Sequence, residues 1–187
     1  MSPFVTLAKL AVESFVKEGK IIEPPKDLSE NLLNQKSGTF VTIMKNGNLR
    51  GCIGTYLPTK ESIAKEIISN AIAAAAEDYR FGSIQKEELP NLKYTVYILS
   101  NPELVKGIPE LNPQKYGIIV KTIPISYSNN TDVVFNGHVP AKTGLLLPDL
   151  EGIDTLEKQI SIACQKGGID PTKEHILIYR FSVKKYT

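Results

Sequence analysis

The Asn46-Gly47 dipeptide is the sequence feature that most constrains the fold of this chain. It separates two strand-like runs, the alternating, β-branched segment Thr39 to Met44 and the segment Leu49 to Gly54. Asn and Gly both accept the positive φ angles that a two-residue hairpin turn requires, and Asn-Gly between such runs is the strongest short-range signal of a β-hairpin. We therefore expect the two segments to pair as antiparallel strands.

The second strand of this hairpin contains the most unusual local pattern, Leu49-Arg50-Gly51-Cys52-Ile53-Gly54. Glycine weakens a strand, and it commonly marks a bulge or the close approach of another backbone or ligand. Alternation places Arg50 on the same strand face as Cys52, unless a bulge at Gly51 intervenes. Two interpretations of Cys52 stay open: a small packed hydrophobe, or a thiolate stabilised by a cation, a helix N-terminus or a histidine.

Apolar residues at helical spacing predict three longer helices and one short helical stretch. The longer helices cover Met1 to Lys20, Pro58 to Tyr79 and Asp154 to Gly168, and the short stretch lies around Leu28 to Leu33. Gly19 has the residue type that ends helices in the left-handed conformation. Thr59 and Asp154 are the expected N-caps, because their side-chain oxygens accept hydrogen bonds from backbone N–H groups of the first turn.

Alternating and β-branched segments predict further strands beyond the hairpin. They are Lys93 to Leu99, Tyr116 to Lys121, Val133 to Phe135, Gly144 to Leu147 and Ile176 to Val183. Because helices and antiparallel strand pairs are intermixed, the sequence favours an α+β fold over a regular α/β sheet. We expect a mixed, largely antiparallel sheet with flanking helices, in a single domain over residues 1–187 that is made of two lobes.

A second chemical pattern closes the alanine-rich helix, where Glu77-Asp78 precede Tyr79-Arg80. Two acids at a helix C-terminus are unfavourable against the helix dipole, so they need partners or a function. Arg80 is the nearest available cation. The pattern fits either an ion-paired helix exit or a polar pocket in which Asp78 and Arg80 orient a substrate.

The supply of reactive side chains excludes several classes of site. The chain has two cysteines and two histidines, with no spacing typical of a zinc site, so we expect no metal and no cofactor. Cys164 lies on the third predicted helix and is expected to be a buried packing residue. The charge balance, 22 Lys and Arg against 20 Asp and Glu, argues against a dedicated nucleic-acid binder.

The chain shows no pattern for export or membrane insertion. Its longest weakly polar run, Ile67 to Ala76, is far shorter than the roughly 20 apolar residues that span a bilayer. No signal-peptide pattern is present, and two cysteines do not make a disulfide framework. We expect a cytoplasmic protein without membrane contact.

Four segments, taken in order, resemble the AMMECR domain family from about Leu7 to Tyr186. They are Leu49 to Gly54, Ala73 to Phe81, Gly144 to Pro148, and Ala163 to Gly168 followed by Ile178 to Phe181. The resemblance implies an α+β fold with a larger and a smaller lobe, and a site at Arg50 to Gly54 in the cleft between them. It also implies association, as the protein A component of the AmmeMemoRadiSam system, with a Memo-like protein and a radical S-adenosylmethionine protein.

Two segments depart from the pattern of that family. Ile123 to Ala141 form a longer polar excursion than the short turn expected there, and Gly82-Ser83 replace a proline-rich continuation. The biochemical activity of the family is not established, so the resemblance leaves the reaction open.

Two hypotheses of function follow. The first is a binding or accessory module in which Arg50, Gly51, Gly54, Asp78 and Arg80 contact a protein partner or an unknown small molecule. The alternative is an enzyme that uses Cys52 as a nucleophilic or redox thiol in the cleft between the lobes. We place binding slightly ahead, because no base, metal set or phosphate loop accompanies the thiol in the sequence.

Overall fold

The structure is a computed structural model that describes residues 2–123, 125–127, 133–135 and 141–187. The chain divides into two compact units, one formed by Met1–Asn101 with Lys184–Thr187 and the other by Pro102–Val183. The α+β fold class is confirmed, with the strands divided between two four-stranded sheets and one two-stranded sheet. A single domain with a cleft between its lobes stays a prediction.

The helices are α1 (Pro3–Glu18), α2 (Glu30–Asn34), α3 (Ile63–Ala76) and α4 (Leu156–Gly167), with short 3-10 helices at Lys86–Asn91 and Ile108–Glu110. Side-chain caps begin α1, α3 and α4, and glycines end α1 and α4. The predicted end of α1 is confirmed, because Gly19 adopts φ 68° and its N–H donates to Phe15. Gly168 ends α4 in the same conformation, at φ 62°.

Two predicted N-caps are wrong by one to three residues. The Ser62 hydroxyl, not that of Thr59, accepts the first-turn N–H of α3, because the Thr59 hydroxyl and N–H both donate to Glu66. At α4 the cap is Thr155, not Asp154, and its hydroxyl accepts from the N–H of Lys158. The predicted second helix also ends at Ala76, earlier than Tyr79.

The first unit is built on a sheet whose strand order is β10-β3-β1-β2. These strands are β1 (Thr39–Lys45), β2 (Asn48–Thr55), β3 (Leu92–Leu99) and β10 (Val183–Tyr186). The predicted hairpin is confirmed, since β1 pairs antiparallel with β2 and Asn46 and Gly47 have φ angles of 52° and 85°. The core lies between this sheet and helices α1 and α3, where Val41, Ile43 and Val96 are fully buried.

A β-bulge interrupts the hairpin at the segment of greatest interest. Ile43 pairs with Gly51 and Met44 pairs with Leu49, so Arg50 is the extra residue on β2. A bulge resets the alternation of side chains along a strand. Arg50 and Cys52 therefore do not follow the simple same-face rule.

The second unit contains a sheet of order β4-β9-β5-β8, covered by α4. Its strands are β4 (Glu103–Leu104), β5 (Gly117–Thr122), β8 (Thr143–Leu146) and β9 (Ile176–Phe181). Cys164 is 2% exposed in the core of this unit, which confirms the prediction that it is a buried packing residue of α4.

The segment between Ile123 and Ala141 contains a separate two-stranded antiparallel sheet, formed by β6 (Ile125–Tyr127) and β7 (Val133–Phe135). The predicted strand at Val133 to Phe135 is thereby confirmed. His138 lies outside the described residues.

Candidate functional site

The glycines beside Cys52 are occupied by contacts within the protein itself. A Cβ at Gly51 would overlap the carbonyl oxygen of Ala74 in α3, and a Cβ at Gly54 would overlap the ring of Phe40. The small alanines of α3 allow this helix to lie directly on β2. Both glycines thus have a packing reason that does not require a ligand.

Cys52 lies opposite Thr42 in the hairpin and is half-buried. Its Sγ is 3.2 Å from the Thr42 hydroxyl oxygen, within hydrogen-bond distance. Cys52 forms no disulfide. The thiol therefore sits against a polar group on the strand surface, whereas Cys164 is enclosed among apolar side chains.

Asp78 and Arg80 bind the free edge of β2 at Cys52. The Cys52 N–H donates to Asp78 Oδ2 at 2.9 Å, and Arg80 Nη2 donates to the Cys52 carbonyl at 3.4 Å. Arg80 also donates to both carboxylate oxygens of Asp78, at 2.9 and 2.7 Å. Since β2 is an edge strand, these contacts satisfy backbone groups that would otherwise be open to another chain.

This pairing fixes the charge of both side chains. The hydrogen bonds from Arg80, supported by the backbone N–H of Cys52, lower the pKa of Asp78 to about 2. The pKa of Arg80 is raised, chiefly by its hydrogen bond to Asp78. A carboxylate this acidic binds a proton too weakly to act as a general base at neutral pH. Asp78 is therefore suited to holding Arg80 and the strand, and Arg80 keeps a positive charge beside Cys52.

Arg50 is directed to a different partner. Its Nε and Nη2 donate to the two oxygens of Glu88, both at 2.9 Å, and its Nη1 donates to the Gly82 carbonyl at 2.8 Å. Glu88 also accepts from Lys45 Nζ at 2.8 Å and from the Gln85 N–H at 3.0 Å. These donors, Arg50 first, hold the pKa of Glu88 far below its usual range. The bulge residue thus ties β2 to the segment that follows Arg80.

Glu88 was not among the residues predicted from the sequence. The available signal was the Gln85 to Glu88 spacing of a capping box, since the Gln85 N–H and the Glu88 side chain meet at the start of the 3-10 helix. The spacing marks a helix start and says nothing of Arg50, which lies 38 positions earlier.

A second carboxylate, Glu66, was also missed. It is 1% exposed on α3 and accepts hydrogen bonds from the Thr55 hydroxyl, from the hydroxyl and N–H of Thr59, and from the N–H of Lys60, at 2.6 to 2.9 Å. The segment that leaves β2 is therefore fastened to α3. The sequence signal for a buried acid was the position of Glu66 three residues after Ile63, which places it on the face of α3 that packs toward the core.

Tyr79 is 95% exposed, although it lies between two anchored residues. The turn Asp78–Phe81, called here the Arg80 turn, is closed by hydrogen bonds from the Arg80 N–H to Asp78 Oδ1 at 3.2 Å and from the Phe81 N–H to the Asp78 carbonyl at 2.9 Å. The Arg80 guanidinium also lies 5.4 Å from the centre of the Phe81 ring. The turn thus presents an aromatic and a cationic side chain from a fixed backbone.

The described residues contain no cluster of three or more His, Cys, Asp and Glu side chains able to hold a metal ion. Among the same residues, no helix is long and apolar enough to cross a bilayer.

Comparison with known proteins identifies the family. The AMMECR1 family model matches residues 5–186. A Thermotoga maritima protein is 45% identical over 98% of this chain and 97% of its own length, and a Pyrococcus abyssi protein is 36% identical over 96% of this chain and 86% of its own length. A Clostridium acetobutylicum protein is 39% identical over 98% of this chain, which spans 36% of that longer protein.

A solved structure is also similar. The crystal structure of the uncharacterized protein PH0010 from Pyrococcus horikoshii matches with a TM-score of 0.79 and 32% identity, covering 97% of this chain and 88% of that one. The chain belongs to the AMMECR1 family.

Proposed function

We propose that this AMMECR1 family protein is a binding module whose contact surface is the Arg80 turn together with Cys52. The observation that carries the proposal is the exposure of Tyr79 beside Arg80 on a backbone tied to the edge of β2. Tyr and Arg are the residue types that most often dominate the energy of protein interfaces. A turn already fixed in the free protein loses little entropy when a partner binds.

The resemblance to the AMMECR domain family supplies the class of partner. We propose that the protein acts with a Memo-like protein and a radical S-adenosylmethionine protein, as an accessory component rather than as the catalyst. The acidity of Asp78 supports this choice, because the carboxylate that binds the Cys52 backbone N–H is unsuited to accept a proton at neutral pH.

The test is a calorimetric titration of this protein with the Memo-like and the radical S-adenosylmethionine proteins of the same organism. We expect the wild-type chain to bind at least one of them and Tyr79→Ala to weaken that affinity by about tenfold or more. Ile108→Ala is the matched control, because Ile108 is 65% exposed in the second unit. Absence of binding, or equal affinity of Tyr79→Ala and wild type, contradicts the proposal.

A second candidate function rests on Cys52 itself. The half-buried thiol faces the Thr42 hydroxyl, and the charged Arg80 lies beside it, which are features that favour a thiolate. In this alternative Cys52 acts as a nucleophilic or redox thiol on a small molecule or a modified partner.

Alkylation with iodoacetamide separates the two candidates. If Cys52 is catalytic, it reacts in the folded protein much faster than Cys164, whose pKa is raised by burial, and Cys52→Ser abolishes turnover without changing partner affinity. An unreactive Cys52 in the folded protein rules the alternative out. Both candidates predict that Cys52→Ser binds its partners as tightly as wild type, so the alkylation rate and the loss of turnover distinguish them.

A further inference from the structure

The Arg80 turn lies within a longer loop, residues 77–83, that is anchored at its base. The loop follows α3 and precedes Ile84, whose N–H donates to the carbonyl of Ala75 in the last turn of α3 at 2.8 Å. The Ile84 side chain is 4% exposed and belongs to the core of the first unit. Because the base is fixed in this way, the position of Tyr79 is set by the contacts that hold the loop beyond its base.

Two attachments hold this loop against β2, one on each side of Tyr79. Before Tyr79, the Asp78 carboxylate accepts from the N–H of Cys52 at 2.9 Å. After Tyr79, the carbonyl of Gly82 accepts from Nη1 of Arg50 at 2.8 Å. The aromatic side chain is therefore presented from a backbone that is fastened on both sides.

Gly82 is the residue of the loop that has most need of an attachment. It is exposed, and a Cβ added there would have no atom within 4 Å, so side-chain packing does not restrict this part of the backbone. Glycine has the widest range of backbone conformations, and fixing it costs the most entropy. The hydrogen bond from Arg50 offsets part of that cost and holds the second half of the loop in place.

The surroundings of Arg50 fit a role in positioning. Its side chain is 16% exposed, against 44% for that of Arg80. Its Nε and Nη2 donate to the two oxygens of Glu88 at 2.9 Å, and Lys45 donates to the same carboxylate at 2.8 Å. A guanidinium held by two parallel hydrogen bonds has a fixed direction. The third nitrogen, Nη1, therefore stays aimed at Gly82.

We propose that Arg50 and Glu88 are positioning residues of the Arg80 turn, which keep it in the conformation that binds a partner without contacting the partner themselves. The part of this inference that concerns the partner rests on the function proposed above. It differs from the expectation from the sequence, in which Arg50 itself contacts the partner. When the attachment at Gly82 is weakened, the turn opens more often, and the apparent affinity falls with the fraction of molecules in which it is closed.

The first test uses the free, ¹⁵N-labelled full chain and measures the exchange of turn amides with water by NMR. The N–H groups of Arg80 and Phe81 report on the turn, because both donate to Asp78. Arg50→Lys keeps a positive charge beside Glu88 but cannot reproduce the forked hydrogen bonds. We expect it to speed the exchange of both amides about fivefold or more. Glu88→Gln, which removes the charged partner of the guanidinium, is expected to act in the same direction.

Two control variants separate positioning from a general loss of stability. Arg180→Lys is the matched control, because Arg180 binds Glu103 through Nε and Nη2 and donates from Nη1 to the carbonyl of Glu110 at 2.9 Å. Gly144→Ala is the control for stability, since its Cβ would overlap a helix carbonyl in the second unit. Both are expected to leave the exchange of the two turn amides within about twofold of wild type.

The second test measures rates of association and dissociation with the Memo-like or radical S-adenosylmethionine protein. A positioning role predicts that Arg50→Lys lowers the association rate by the same factor as the closed fraction obtained from amide exchange, and that it leaves the dissociation rate within about twofold. Tyr79→Ala removes a proposed contact and is expected to raise the dissociation rate about tenfold instead.

The outcomes keep this inference distinct from the proposed function. Turn exchange that Arg50→Lys leaves unchanged, or that Arg180→Lys speeds equally, would overturn the positioning role whether or not a partner binds. A faster dissociation of Arg50→Lys at an unchanged association rate would also overturn it, because Arg50 would then be a partner contact. Faster turn exchange in Arg50→Lys, with no binding of either protein to the wild-type chain, would support the positioning of the turn and contradict the proposed function alone.

Discussion

The β2–α3 contact of the first unit and the β8–α4 contact of the second use the same packing device. In each, a glycine on the edge strand of a four-stranded sheet faces a helix carbonyl, Gly51 at Ala74 and Gly144 at Ala163. The two regions differ in what else contacts the strand. Asp78 and Arg80 bind the β2 backbone, whereas in the described part of the second unit no carboxylate accepts from the backbone of β8.

The glycines around Cys52 are therefore not evidence of a functional site by themselves. Both β2 and β8 have a glycine that allows a helix to pack closely on the strand, but only β2 has added polar contacts. Close packing at a glycine therefore does not by itself mark a functional site. The first unit differs from the second in the polar contacts added to β2 and in the exposed Tyr79 on the turn that makes those contacts.

The largest predicted effect tests whether the two contacts are equivalent. Gly51→Ala and Gly144→Ala should each lower the free energy of unfolding by about 3 kcal/mol, because the added Cβ meets a helix carbonyl that cannot move alone. Urea unfolding followed by circular dichroism measures this. Gly82→Ala is the control, since a Cβ added at Gly82 would have no atom within 4 Å, and it should change stability by less than about 0.5 kcal/mol. Equal stability of Gly51→Ala and Gly82→Ala would refute the packing explanation.

The hairpin that carries Gly51 and Cys52 was predictable because its signals are local. Asn46 and Gly47 have the positive φ angles that their residue types favour, and Gly19 likewise ends α1. The N-cap of α3 was not, because Glu66 takes the Thr59 hydroxyl and leaves the cap to Ser62. Which hydroxyl caps the helix therefore depends on side-chain contacts that form only in the folded chain.

The same distinction applies to the candidate site. The pairing of Asp78 with Arg80 was anticipated, since the two are close in sequence. Their attachment to Cys52, 26 positions away, and the partnership of Arg50 with Glu88 depend on tertiary contacts that no local spacing specifies. The bulge at Arg50 allows the pairing of Arg50 with Glu88. Side-chain alternation alone would have placed Arg50 on the same strand face as Cys52.

The second prediction compares two aspartates whose pKa values are both about 2, Asp78 and Asp170. Asp78 is 4% exposed, so Asp78→Asn should lower the free energy of unfolding at pH 7 by about 2 kcal/mol. Asp170→Asn should have little effect, because water screens its exposed side chain.

The pH dependence follows from the direction of the Asp78 shift. Its pKa is lower in the folded protein than in the unfolded chain, so its contribution is fully present above about pH 5 and is lost as the pH falls toward 2. Chemical unfolding measured between pH 2 and pH 7 should show a shallower pH slope for Asp78→Asn than for wild type. Parallel slopes would mean that Asp78 is not held by Arg80 in the folded protein.

The third and smallest prediction compares two arginine–glutamate pairs. Arg50 and Glu88 side chains are 16% and 13% exposed, whereas Arg180 and Glu103 are 26% and 68% exposed. Arg50→Lys should cost about 1–2 kcal/mol, because lysine cannot reproduce the two parallel hydrogen bonds. Arg180→Lys should cost less than about 1 kcal/mol at the more exposed pair. Thermal unfolding of both variants tests the order, and an equal or reversed order would contradict the assignment of Arg50 as the anchor of β2.

The Arg80 turn is the surface that we propose partners contact, and this assignment can be measured directly. The measurement is hydrogen–deuterium exchange of the full chain, with and without the Memo-like and radical S-adenosylmethionine proteins. We predict that a bound partner slows exchange most strongly in the peptides covering residues 78–82. Protection confined to Pro102–Val183, or no protection anywhere with either protein at saturating concentration, would contradict the assignment.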